Sequence, residues 1–419
     1  MVLNLNSLSK NSLILMIGSG INQFLILLVG IFSARYLGPL DYGIISLAAS
    51  LNVIFIFFIV LGLHHYVIRE IARDNSTVSY FYSGLIWLKI LLFIPLLIFV
   101  FLFMTLLGYN KLIVFVTTIT TGSFVLNSFV YGFYAIIQAH NDMKYISVGY
   151  IITGVLTFIG ITFSILLKTD IYAFVFIPLI VNAVIFLSSL IFINLRYNLK
   201  IENIYMIKEF IKIHLHKAIP FGITGLFVTF YIWSGSFWIS FFHGEDLVGY
   251  YNVAFRIIFA TFIVSQGVNM TAYPALSSLV FQDKLATKRL FQNQIKILGF
   301  LSLLISIFIF IFSDLLIHIL LGGQYTKSIV ILQILVLIIP FVFIRSSFER
   351  LLEVTGNQIN VMISYALGSF INLLLNLTLI YCFAIIGAAI ALVLTDFIIF
   401  LTILYFSKKI HLEGVKSIS

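Results

Sequence analysis

The chain has 419 residues, 62% of them hydrophobic and 9% charged, with 24 Lys and Arg against 15 Asp and Glu. Soluble domains carry roughly 25% charged residues, so this composition, with a mean hydropathy of +1.16, excludes a water-soluble fold. The net charge of +9 does not indicate nucleic acid as a partner, because the basic residues lie in short loops between apolar runs, as on the cytoplasmic side of membrane proteins. The runs lack period-two alternation, which predicts helices rather than barrel strands. Twelve spans are expected, at 12–34, 42–66, 80–107, 112–138, 145–167, 171–193, 218–242, 250–279, 291–320, 328–352, 359–381 and 385–406. The first is too long for a signal-peptide core and lacks a small-residue cleavage site, so it is expected to be retained.

Span one ends at Arg35, which marks either the outer interface or a cavity wall. A turn follows, Gly38-Pro39-Leu40-Asp41-Tyr42-Gly43, with Ala48 five residues beyond its second glycine. His65, Arg69 and Arg73 share one face at the inner end of span two, with Glu70 and Asp74 on the next stripe. They form either an ion-paired helix end or a basic mouth that collects a phosphate. Lys89 lies inside span three beside Trp87, and either snorkels inward or lines a cavity.

The longest polar stretch, 194–217, has Ile201, Ile204, Ile207 and Ile211 among its charges, the spacing of an amphipathic helix on membrane lipids. It splits the spans six and six. The expected layout is an N-terminal lobe at 1–194, a cytoplasmic linker at 195–217, a C-terminal lobe at 218–407 and a tail at 408–419. Gly244, Gly249 and Ala254 repeat the spacing of Gly38, Gly43 and Ala48, and Asn141-Asp142 is echoed by Asn357-Gln358, so the lobes read as repeats.

Arg256 lies about two turns into span eight, on a small and polar face with Asn252, Ala260 and Gly267. A cation at mid-membrane costs roughly 2.5–3.5 kcal/mol on insertion scales, so it needs a partner or water. It either pairs with a carboxylate or lines a site for an anionic head group. Asp396, midway along span twelve, is either a structural partner of Arg256 or Lys89, or a proton or sodium coupling site. Glu349, Arg350 and Glu353 look self-neutralising. Pro95, Pro178, Pro220, Pro274 and Pro340 permit kinks within spans.

Alternate loops hold Arg69, Arg73, Lys144, Arg196, Lys200, Lys208, Lys212, Lys217, Lys284, Lys288 and Arg289, with Lys10, Lys408, Lys409 and Lys416 in the tails. The opposite loops hold Arg35, Lys111, Lys168 and Lys327, so both termini are expected in the cytoplasm. One cysteine, Cys382, excludes an internal disulfide, and the eight histidines lack metal-ligand spacing. No G-x-S-x-G, H-E-x-x-H or P-loop is present, so neither an enzyme nor a bound cofactor is expected.

Several stretches carry a family resemblance: Ala34-Arg35-Tyr36-Leu37-Gly38-Pro39-Leu40-Asp41-Tyr42-Gly43, Gly62-Leu63 with Arg69, and Val248-Gly249-Tyr250-Tyr251-Asn252-Val253-Ala254. Further on come Tyr273-Pro274-Ala275-Leu276-Ser277, Leu320-Leu321-Gly322-Gly323-Gln324-Tyr325 with Leu332-Gln333-Ile334-Leu335, and Asn376 with Gly387-Ala388-Ala389-Ile390-Ala391. Their order and spacing, over nearly the whole chain, resemble the bacterial polysaccharide transport family. These are the O-antigen and repeat-unit (Wzx-type) flippases of the multidrug/oligosaccharidyl-lipid/polysaccharide (MOP) superfamily.

The resemblance implies an all-α integral membrane protein of about twelve helices in two lobes around a central cationic cavity. It implies transfer of an undecaprenyl-diphosphate-linked oligosaccharide between leaflets of the bacterial inner membrane by alternating access. A polysaccharide polymerase and a chain-length regulator are the expected partners. Arg256 matches the family's basic position after Gly-Tyr-x-x-Ala, and Asp396 an acid after Gly-Ala-Ala. On that reading Arg256, Lys89 and Arg35 meet the diphosphate, Arg69 stands at the mouth, Asn252 shares the face of Arg256, and Trp233 and Trp238 stack on sugars. The chain departs from the pattern in span seven, where Tyr231-Ile232-Trp233-Ser234-Gly235-Ser236-Phe237-Trp238 lacks the family's usual aspartate. The alternatives are a cation-coupled drug exporter of the same superfamily, a lipid II flippase, and a membrane polymerase or acyltransferase acting on lipid-linked glycans.

Overall fold

In hydrocarbon every backbone amide and carbonyl must be satisfied within its own segment, which a helix does. The computed structural model describes residues 5–280 and 282–416, all helix and connection with no strand among them. The side chains of Lys10, Lys284 and Lys416, and residues 417–419 of the expected tail, lie outside the described residues.

The first part of the chain forms α1 (Leu5–Phe55), α2 (Phe57–Val60), α3 (Leu63–Arg73), α4 (Val78–Leu106), α5 (Lys111–Ala139), α6 (Met143–Leu166) and α7 (Ile171–Tyr197). After α8 (Met206–Phe210) and a π-helical turn (Ile211–Leu215) come α9 (His216–His243), α10 (Glu245–Leu279), α11 (Lys284–Ile311) and α12 (Ser313–Leu321). The chain continues as α13 (Lys327–Leu335), α14 (Ile338–Val354), α15 (Gln358–Leu375), a second π-helical turn (Asn376–Ile380) and α16 (Tyr381–Lys416).

Among the described residues, 10 helical stretches are long and apolar enough to cross a membrane. Two of them, Leu13–Arg73 and Gln358–Lys409, run to 61 and 52 residues. A hydrocarbon core of about 30 Å takes about 20 helical residues, so each exceeds one crossing twofold or more. Each is broken by non-helical backbone, at Gly38 (φ 78°, ψ 175°) and at Ala384 (φ 48°, ψ −127°). Each therefore covers two of the expected spans, and the all-α membrane architecture is as the composition required.

The break at Gly38 has a local cause. Its positive φ with extended ψ is open essentially only to glycine, and Pro39 then starts the next helix with its φ already set. Gly244 takes nearly the same conformation (φ 96°, ψ 170°) between α9 and α10. The two turns that repeat in sequence thus repeat in backbone geometry.

The described chain separates into two compact units, Met1–Leu37 with Ile44–Leu226, and Gly38–Gly43 with Phe227–Ser419. In the first, α5 packs against α3, α4, α6 and α7. The other face of α4 is apolar and exposed through Ile90, Leu91, Ile94, Ile98 and Leu102, as lipid contact requires. In the second, α10 packs on α11, α13 and α14, while α16 packs on α13, α14 and α15.

The stretch 194–217 departs from a single amphipathic helix. Residues 198–203 are not helical, and Ile201 and Ile204 are exposed. Their backbone docks on α4 instead: Trp87 Nε1 donates to the Glu202 carbonyl at 2.9 Å, and the Glu202 amide donates to Ser83 Oγ at 2.8 Å. Helix resumes at Met206, and Phe210 is buried in the space left by Gly84. The side-chain hydroxyl and indole of α4 compete for backbone groups that an amphipathic helix would have used internally.

Candidate functional site

Arg256 projects from α10 within the second unit. Its guanidinium lies 5.7 Å from the ring centre of Tyr42, the buried tyrosine of the first glycine turn. Among the described residues Arg256 belongs to none of the ion pairs found. Among the described residues it is the Tyr42 ring quadrupole that holds this cation, a weak interaction compared with a carboxylate. Four residues before it, Asn252 is buried and already bonded: its amide donates to Ser236 Oγ and to the Val248 carbonyl, each at 3.0 Å. Trp233 on α9 packs edge-on against Phe255 at 5.5 Å and against Phe259 at 6.1 Å, so the indole stands beside the turn that carries Arg256. Trp238 stacks on Phe242, and its buried Nε1 has no hydrogen-bond partner among the described residues.

Asp396 pairs with neither Arg256 nor Lys89. Its partner is Arg345 on α14, at 2.5 Å, with both side chains almost fully buried. Arg345 also forms an ion pair with Glu349, one turn on, at 3.0 Å. Tyr365 donates to Glu349 at 2.6 Å, its ring lies 5.4 Å from the guanidinium carbon, and Arg345 Nη2 donates to the Tyr231 hydroxyl at 3.3 Å. One guanidinium thus meets two carboxylates and two phenols contributed by α9, α14, α15 and α16. Glu349 is therefore not part of a neutral trio with Arg350 and Glu353; those two pair with each other at 2.5 Å.

Arg345 and Tyr231 are the residues that sequence reasoning missed. A signal existed, because an arginine with a glutamate four residues on, five residues past Pro340 in an apolar run, is costly unless paired. Beside this network, Asn372, Asn376, Ser234 and Thr395 form a second buried polar set through bonds of 2.8–3.2 Å.

In the first unit Lys89 is buried rather than snorkelling. Its Nζ donates to the Ser128 carbonyl on α5 and lies 5.7 Å from the Phe129 ring centre. Gly132 makes the approach possible, since a Cβ there would lie 3.1 Å from Nζ. Arg69 pairs with Glu70 at 2.8 Å and lies over Tyr66 and Phe221, while Arg73 reaches Glu70 at 3.6 Å. Just beyond, Asp74 accepts from the Ser76 amide and hydroxyl, which holds its carboxyl below the usual carboxylate range. This is an ion-paired helix end. Arg35 is exposed near the end of the first part of α1.

Comparison with known proteins follows the same lines. The chain matches the family described as polysaccharide biosynthesis protein over residues 8–280, and the MatE family over residues 220–378. It is 25% identical to the "Putative O-antigen transporter" of Escherichia coli (strain K12) over 419 residues, covering 96% of this chain and 97% of that protein. Among solved structures it is similar to the lipid II flippase MurJ in an inward closed conformation, with TM-score 0.71, 18% identity, and coverage of 94% of this chain and 87% of that one. A multidrug resistance MATE family transporter of the MOP superfamily, inward-facing, gives TM-score 0.74 at 15% identity, covering 95% and 96% of the two chains.

Proposed function

The chain belongs to the polysaccharide biosynthesis protein family, a multi-pass membrane protein with the fold of MOP-superfamily transporters, and on that premise we propose that it is a flippase for lipid-linked oligosaccharides. Its cargo would be an undecaprenyl-diphosphate-linked repeat unit, moved from the inner to the outer leaflet of the bacterial cytoplasmic membrane by alternating access. The product would feed O-antigen or capsule assembly, where a polymerase and a chain-length regulator act next.

The observation that carries this reading is Arg256: a guanidinium within an apolar span, held by Tyr42 and outside every ion pair among the described residues. Such a charge suits a ligand that brings its own negative charge, and a diphosphate does. Trp233 offers an aromatic face beside it for the apolar C–H side of a sugar. Lys89 is a second cation in a span, and Arg35 and Arg69 are basic groups along the first unit that would assist capture.

The drug-exporter alternative shares the fold. It would need acids free to meet a cationic substrate, and Asp396 and Glu349 are engaged by Arg345. For coupling, two carboxylates share one guanidinium, so the Asp396–Arg345–Glu349 group as a whole keeps one formal negative charge, which a proton or a sodium ion at Asp396 would neutralise in the transport cycle.

The test is complementation of a flippase-null strain at matched protein levels. Arg256→Ala is expected to lower surface glycan at least about tenfold. Unpolymerised lipid-linked units should accumulate on the inner leaflet. Normal surface glycan with Arg256→Ala would overturn the assignment of Arg256, and single units displayed outside would point to a polymerase.

A further inference from the structure

The first unit contains a cavity of about 350 Å³ between α1, α5, α6 and α7. Its polar lining comes chiefly from Asn22, Asn127, Asn182, Tyr131, Tyr134 and Tyr150, and among the described residues it includes no Asp, Glu, Lys, Arg or His. None of these residues takes part in the groups described above.

The cavity is built by close packing. Gly149 and Gly154 on α6 leave room for its walls: a Cβ at the first would run into the Tyr134 hydroxyl, and one at the second would lie 2.8 Å from Asn22 Oδ1. Asn182 Nδ2 is fixed by Ser123 Oγ at 2.9 Å, and Asn127 Nδ2 donates to Asn182 Oδ1 at 3.3 Å. Tyr134 and Tyr150 pack edge to face at 5.4 Å, with Tyr131 next at 6.4 Å. Asn22 Oδ1 is buried and has no hydrogen-bond partner among the described residues.

The lining chooses the ligand class. A phosphate would find no cation here and a cationic drug no carboxylate, and an unpaired buried charge is costly. Amides and phenols both donate and accept, and the rings with Ile26, Val29 and Val130 supply apolar faces. The volume lies at the small end of the roughly 300–1,000 Å³ range of small-molecule sites, room for one ring-sized ligand. We propose that this cavity binds a single neutral sugar ring bearing hydroxyl or acetamido groups. Its place in the transport cycle rests on the flippase reading; the binding itself does not.

The experiment uses the full-length protein in phosphatidylglycerol–phosphatidylethanolamine nanodiscs. Saturation-transfer NMR is recorded with the methyl glycosides of glucose, galactose and N-acetylglucosamine. Transfer to at least one glycoside is expected. It should fall severalfold in Asn182→Leu, and in Thr153→Phe, which fills the cavity at a residue whose hydroxyl bonds only its own helix. Arg256→Ala should retain it. Thermal unfolding of each variant in detergent identifies the folded ones, and a folded cavity variant is the one read.

No transfer in the wild type, equal transfer in the folded cavity variants, or loss in Arg256→Ala alone would each overturn the proposal. So would native mass spectrometry showing a phospholipid displaced by Thr153→Phe but not by any glycoside, since the cavity would then hold an acyl chain. If the null strain displays single units outside while cavity binding stands, it is the flippase reading that fails; export that survives Arg256→Ala removes only the assignment of Arg256.

Discussion

At the scale of single residues, the decisive fact is that the buried charges of the second unit have chosen each other. Arg345 pairs with Asp396 and Glu349, Tyr231 accepts from its Nη2, and Tyr365 donates to Glu349. Removing one partner of a buried pair strands the others, at a cost of about 3–5 kcal/mol. Arg345→Met is therefore expected to lower the Tm in detergent sharply, and adding Asp396→Asn should recover part of the loss because the two sites are coupled. If Arg345→Met left the Tm unchanged, the network would have no structural role. Tyr365→Phe removes one hydrogen bond to a charged group, worth about 1.5–3 kcal/mol, and the same melting curves check it. Arg256 stands in contrast: it lies outside every ion pair found among the described residues, so its removal should alter transport far more than stability.

At the scale of elements, the two glycine turns meet reciprocally. A Cβ on Gly43 would collide with the Glu245 carbonyl oxygen, and one on Gly249 with the Pro39 carbonyl oxygen. Glu245 and Pro39 each directly follow the first glycine of their turn, so each copy supplies one carbonyl and one bare Cα to the other. The repeat is a docking device as well as a sequence pattern. Gly43→Ala and Gly249→Ala should each destabilise by about 1–3 kcal/mol through overpacking. Gly38→Ala should cost a similar ~1–3 kcal/mol through its backbone conformation alone. Gly299→Ala is the control, because a Cβ there meets open space; it should be neutral or stabilise by up to ~1 kcal/mol. A Gly43→Ala protein that melts like the wild type would refute the packing account.

At the scale of the whole molecule, the basic loops predict which ends face the cytoplasm. The check is labelling of intact cells by a membrane-impermeant maleimide, after Cys382→Ala removes the exposed native thiol. Lys111→Cys and Lys168→Cys should label from outside, whereas Lys144→Cys and Lys288→Cys should label only after permeabilisation. The reverse pattern would invert the topology, and with it the direction assigned to transport.

The class of molecule and its segmentation follow from the amino-acid sequence without a structure. Hydrocarbon admits few structures, so composition and run length are enough to require helices, and positive φ selects glycine, so Gly38 and Gly244 mark their turns without a structure. Arg256 was legible for the same reason, as a charge where charges are costly. Which charge pairs with which is set by packing between helices. Arg345 and Asp396 are 51 residues apart on different helices, and no local periodicity connects them. The cavity in the first unit draws on four helices, each contributing uncharged residues that look ordinary in a membrane span. Helices form from interactions within a few residues, but a buried charge is satisfied by whatever the packing brings to it.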